Sequence, residues 1–136
     1  MTRDITVAAL QLPIAASEAE NIDAVNDLVS QASDLGAQII LPPELFSGRY
    51  FCKTQEEEHF SLAHPVLEHP AVKAMAKLSK RLNVAIPTSF FERDGAHFYN
   101  SVAMIDPSGE IMGVYRKKPH SRRPWLSGEI LFSPRQ

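Results

Sequence analysis

Gly36-Ala37-Gln38-Ile39-Ile40-Leu41-Pro42-Pro43-Glu44-Leu45-Phe46 holds, in order, a helix stop, a short apolar strand, a double proline and a carboxylate. Gly36 ends a helical run, Gln38 to Leu41 reads as a strand, and Pro42-Pro43 breaks it. Glu44 therefore falls on a loop at a strand's carboxyl end, where open α/β sheets keep their chemistry.

Outward from this stretch, strands and helices alternate. Upstream, Ile5 to Leu12 is an apolar run with β-branched residues, ended by Pro13, and reads as a buried strand. Ser17 with Glu20 makes a capping-box signal, and Ile22, Val25, Leu28, Val29 and Ala32 keep helical spacing as far as Gly36. Downstream, a helix is predicted from about Ala71 to Leu82. Val72, Met75, Leu78 and Leu82 form its apolar stripe, while Lys73, Lys77, Lys80 and Arg81 face water. Val84 to Phe91, Tyr99 to Ile105 and Glu110 to Tyr115 read as three strands, the last two joined by the turn Asp106-Pro107-Ser108-Gly109. The order predicts an α/β fold in which helices cover one face of a layered sheet and the other apolar face needs a partner.

Composition narrows the function classes. A chain of 136 residues buries about two thirds of its unfolded surface, enough for one domain. A net charge of -2 with interspersed signs gives no basic patch for nucleic acid or a membrane surface. The single Cys52 forms no internal disulfide, and no apolar stretch reaches the length of a membrane span or signal-peptide core. A reducing, cytoplasmic setting is the expectation.

Two side chains stand out as candidates for chemistry. Glu44, wedged between prolines and apolar residues, is expected to have its pKa raised by desolvation, which suits a general base; a carboxylate capping a nearby turn is the plain alternative. Lys117 directly follows an apolar strand and can sit at the same end of the sheet, where a fixed cation stabilises an oxyanion; an exposed strand-end lysine is the alternative. Cys52 lacks an oxyanion-type glycine turn and lies beside aromatics in Tyr50-Phe51-Cys52, so it reads as a small buried hydrophobe rather than a nucleophile. His59, His64, His69, His97 and His120 show no paired spacing and no cysteine companions, so no metal site is expected, and His64 and His69 beside prolines read as loop residues.

Four fragments carry a family resemblance: Val7-Ala8-Ala9-Leu10-Gln11, Gly36 to Glu44, Tyr99-Asn100-Ser101 and Gly113-Val114-Tyr115-Arg116-Lys117. In this order they resemble the nitrilase superfamily of carbon-nitrogen hydrolases, over essentially everything up to Lys117. Within it, Glu44-Leu45-Phe46, Tyr50-Phe51-Cys52 and Ser89-Phe90-Phe91-Glu92-Arg93 look most like the branch that hydrolyses N-carbamoylputrescine. The resemblance implies a Glu-Lys-Cys mechanism on an α-β-β-α sandwich, with no metal or organic cofactor, a small carbamoyl amine as substrate and a homo-oligomer as the intact protein. Glu44 would take the thiol proton and Lys117 would hold the tetrahedral intermediate. The family's nucleophile stands some tens of residues after the lysine, and Cys52 does not match that segment.

On this reading residues 1–117 are the N-terminal part of a sandwich left incomplete, and residues 118–136 are a tail with no expected fold. The branch usually continues Ser-His-Ile-Pro-Asp-Gly-Pro-Gly-Tyr after its lysine, and no such sequence stands in Lys118 to Gln136. A permitted back-translation of Pro119 to Arg135, read one base out of frame, yields His-Ile-Pro-Asp-Gly-Pro-Gly-Tyr-Leu-Glu-Lys-Phe-Tyr-Phe-His-Pro-Gly. One added adenine in the run that encodes Lys117-Lys118 would account for the change and is the expected history. The expected consequences are an inactive product with an open apolar sheet face and an unpaired strand edge. The alternatives are another carbamoyl amine, a carbamoyl amino acid or a linear amide as the substrate, or a non-catalytic fragment that binds full-length subunits.

Overall fold

The computed structural model describes residues 2–15, 17–48, 61–117 and 128–131. Strand β1, Val7–Ala9, runs parallel to β2, Ile39–Leu41, with the crossover helix α1, Glu18–Asp34, between them in sequence. Helix α2, Pro70–Leu82, precedes an antiparallel ladder of β3 (Ile86–Asp94), β4 (His97–Ile105), β5 (Ile111–Lys117) and β6 (Gly128–Leu131). A parallel bridge between Ile39 and Ala85 joins the pair to the ladder, through Ile40 N–H to Ala85 C=O and Ala85 N–H to Gln38 C=O, both 2.9 Å.

Both helices start where their capping residues stand. Ser17 is the N-cap of α1, its hydroxyl accepting from the Glu20 N–H. His69 caps α2, its Nδ1 accepting from the Ala71 N–H at 3.1 Å, with Pro70 in the first turn. His69 is thus a fully buried capping residue rather than a loop histidine. Asn83, in the left-handed conformation with φ 57°, ends α2.

The two helices bury one face of the sheet. Val25 and Val29 of α1, with Val72 and Met75 of α2, pack on Ile40, Ile86, Phe90, Ala103 and Ile105, all nearly inaccessible. Burial of each large apolar side chain contributes about 1.5–3 kcal/mol, so this layer dominates the stability of the fold. The opposite face carries Val7, Ile39, Leu41 and Met104, of which Val7 is 67% and Leu41 48% exposed. Strand alternation and register place Phe91, Asn100 and Lys117 on this second face, opposite Phe90, Ser101 and Arg116.

Several boundaries differ from those expected. Strand β1 is shorter than Ile5 to Leu12 because β2 offers it only three pairing residues. Strands β3 and β4 run on to Asp94 and back to His97, since Gly95, at φ 62°, lets the chain turn between these paired residues. Strand β5 runs to Lys117. Residues 118–136 were expected to hold no fold, yet Gly128–Leu131 pairs with Val114 to Lys117. The edge of β5 presents unpaired main-chain groups that accept any extended backbone, whatever its side chains.

Candidate active site

Glu44 is held by the residues that follow it. Leu45 adopts φ 51°, a left-handed conformation uncommon for a side chain of this kind, and is nonetheless buried. Its N–H donates to the Ser89 hydroxyl of β3 at 2.9 Å, and Leu45 packs with Ala63 and Phe91. Phe46 is wholly buried in the main core. One residue further on, the Ser47 carbonyl accepts from Asn21 Nδ2 at 3.3 Å, while the same buried amide receives the Ala15 N–H at 2.6 Å. The turn that bears Glu44 is therefore tied to α1, to β3 and to the loop before α1.

Lys117 ends β5 and donates from Nζ to Glu44 Oε1 at 2.9 Å. Asn100 of β4 donates from Nδ2 to the same oxygen at 2.7 Å. The side chains of Lys117 and Glu44 are 56% and 45% exposed, so the pair lies at the surface of the open sheet face. The pKa of Glu44 is lowered, not raised as its apolar sequence neighbours suggested. The Lys117 hydrogen bond is the largest cause; burial opposes it, and the Asn100 bond and the lysine's charge add to it. The prolines precede the carboxylate in sequence but leave it half open, and the cation decides the sign.

Behind this pair lies a buried ionic cluster. Glu92 accepts from Arg116 Nε at 2.6 Å, from Arg116 Nη2 at 2.9 Å and from the Ser101 hydroxyl at 2.9 Å. Arg116 also reaches Asp94 at 3.0 Å and stacks over the Tyr99 ring, 4.4 Å from its centroid. Its pKa is raised, first by the Glu92 hydrogen bonds, so it stays charged. Glu92 has only 4% of its side chain exposed and is thus a structural clamp across β3, β4 and β5.

The structure brings Glu44 and Lys117 together. Cys52 lies outside the described residues, as do His59 and His120. Among the described residues no group of three His, Cys, Asp or Glu is placed to hold a metal ion. Asn100 and the Glu92–Arg116 clamp were not singled out as site residues in the sequence. Their signal is a polar or charged residue inside an apolar strand, where both types are depleted.

The geometry can now be set beside known proteins. The carbon-nitrogen hydrolase family profile matches residues 6–126. The chain belongs to the carbon-nitrogen hydrolase family. Citrullinase of Francisella tularensis is 50% identical over 84% of this chain and 40% of its own length. N-carbamoylputrescine amidase of Arabidopsis thaliana is 41% identical over 97% of this chain and 44% of its own. The chain therefore spans under half the length of these curated relatives. A carbon-nitrogen hydrolase from Helicobacter pylori shares the fold with TM-score 0.78 at 24% identity, over 89% of this chain and 42% of that one. This carbon-nitrogen hydrolase chain thus has the mixed α/β architecture of its family over part of the relatives' length. Among its described residues no helix is long and apolar enough to cross a membrane.

Proposed function

We propose that this chain carries the general base and the cationic stabiliser of a hydrolase that cleaves the ureido group of N-carbamoylputrescine, in polyamine synthesis. The observation that carries this reading is the 2.9 Å contact of Lys117 Nζ with Glu44 Oε1, between loop and strand ends that the sheet holds in register. Glu44, kept ionised by Lys117, takes the proton of a cysteine thiol. The thiolate attacks the ureido carbonyl, and Lys117 stabilises the oxyanion. Ammonia leaves with the proton held by Glu44, and a carbamoyl thioester remains. Water then releases the thiol and a carbamic acid, which separates into carbon dioxide and putrescine.

The cysteine of this mechanism follows the lysine in the family pattern, whereas the only cysteine in the sequence is Cys52. Lys118 onward is proposed to be an out-of-frame product of one added adenine. The family match to residue 126 takes in the start of this segment, and the coding DNA decides. Removing one adenine near codon 118 should open a frame that leads to a cysteine; a frame that stays closed overturns the reading. Turnover by the purified chain that is lost on Cys52→Ser would instead make Cys52 the nucleophile.

A second substrate is favoured by the 50% identity to a citrullinase, since citrulline bears a ureido group on an amino acid. The frame-restored enzyme should prefer N-carbamoylputrescine over citrulline and 3-ureidopropionate. A higher kcat/KM for either acid would move the assignment to carbamoyl amino acids. The intact enzyme is read as a cytoplasmic homo-oligomer.

A further inference from the structure

Asn100 and Lys117 donate to one and the same oxygen of Glu44, and Oε2 accepts no hydrogen bond from any other described residue. A carboxylate oxygen has about two acceptor positions, so Oε1 is saturated and, among the described residues, Oε2 is left available. We propose that Asn100 is a positioning residue that, together with Lys117, locks Oε1 of Glu44 and so presents Oε2 as the proton-accepting atom. This rests on the reading of Glu44 as the base.

Lys117 alone does not set the orientation of the carboxyl plane. Its ammonium is a point charge on a flexible stem, more than half exposed, and it tolerates rotation of the carboxyl group about the contact. Asn100 has a short side chain and stands on the central strand β4, paired with Phe91 of β3. The Ser101–Arg116 pair sets the register one step away, so Asn100 and Lys117 leave the sheet as neighbours on one face. Two donors on adjacent strands define a direction where one defines only a distance.

The chemical identity of the second donor also fits. Another cation there would stabilise the charged carboxylate further and weaken the base. An amide donates a directed N–H with no net charge, and orients the group at smaller cost to its basicity. Packing offers no rival account, because Asn100 is only half-buried and its amide's described contact is with Glu44.

The test reads this hydrogen bond by NMR in the full chain. The side-chain amide resonances of Asn100 and the carboxyl carbon of Glu44 are followed through an acid titration. In the unaltered chain they should share one midpoint. Asn100→Ala should raise the Glu44 midpoint, and Asn100→Asp, which replaces the donor by a second carboxylate, should raise it further. Amide resonances that ignore the Glu44 titration, a measurement that needs no variant, overturn the proposal, as does an unmoved midpoint in Asn100→Ala. If Glu44→Gln leaves turnover of the frame-restored enzyme intact while the shared midpoint persists, the base assignment fails and the hydrogen bond stands.

Discussion

Arg116 and Glu92 neutralise each other where neither side chain has much access to water. Arg116→Met removes the partner and leaves a buried carboxylate, which should cost on the order of 3–5 kcal/mol in urea unfolding. The double variant Arg116→Met with Glu92→Leu should recover most of that loss, since no charge is then stranded. His69 supplies the pH dependence. Burial first, and then the nearby His64, lower its pKa from 6.5 to about 4. The cap on α2 also needs Nδ1 unprotonated to accept from Ala71. The unfolded chain binds the proton first as pH falls, so the contribution of His69 is complete above about 6.5 and is lost as pH drops to about 4. The gap corresponds to an upper bound of about 3 kcal/mol. Urea midpoints between pH 7.5 and 4 should fall in this window, and His69→Asn should flatten the fall. Glu44 was visible in the sequence as a candidate from its place after a strand, between prolines and apolar residues, and Lys117 from directly following an apolar run. Asn100, Glu92 and His69 were not, since what they do depends on strand register and burial.

At the scale of elements, the turn between β4 and β5 shows how tightly the sheet meets its helices. Asp106 Oδ1 accepts from the Ser108 and Glu110 N–H groups and from the Ser108 hydroxyl, and closes the turn. Gly109, at φ 84°, lies against α2 so closely that an added Cβ would stand 2.7 Å from the Ala76 carbonyl oxygen. Gly95, at φ 62°, turns β3 into β4 in open space. Gly109→Ala should therefore cost more than Gly95→Ala, about 2–4 against about 1 kcal/mol by thermal unfolding. Equal losses would mean that backbone conformation alone sets the cost. Both helices and β2 to β5 were legible from periodicity, caps and turn residues. The ends of β1 and β3 were not, because a strand ends where its partner ends. Strand β6 was not legible for the same reason: the edge of β5 supplies the pairing.

At the scale of the molecule, the exposed face with Val7, Ile39, Leu41 and Met104 is the main liability. Leu41→Lys with Met104→Lys should lower concentration-dependent light scattering and leave the urea midpoint within about 0.5 kcal/mol, because both sites are already open to water. That one face would be left apolar was readable from the order of elements. How the face meets the site was not, because the turn after Pro43 is fixed by contacts from Asn21 and Ser89, far away in sequence. The joint between β2 and β3 has a consequence for the same site. Glu44 follows β2 of the parallel pair, whereas Asn100 and Lys117 stand on the antiparallel ladder. Two main-chain hydrogen bonds at Ala85 and the Leu45–Ser89 contact span the seam. The carboxylate–ammonium contact is thus a side-chain bridge over the same seam, closing between loop and strand end what the main chain closes at Ala85.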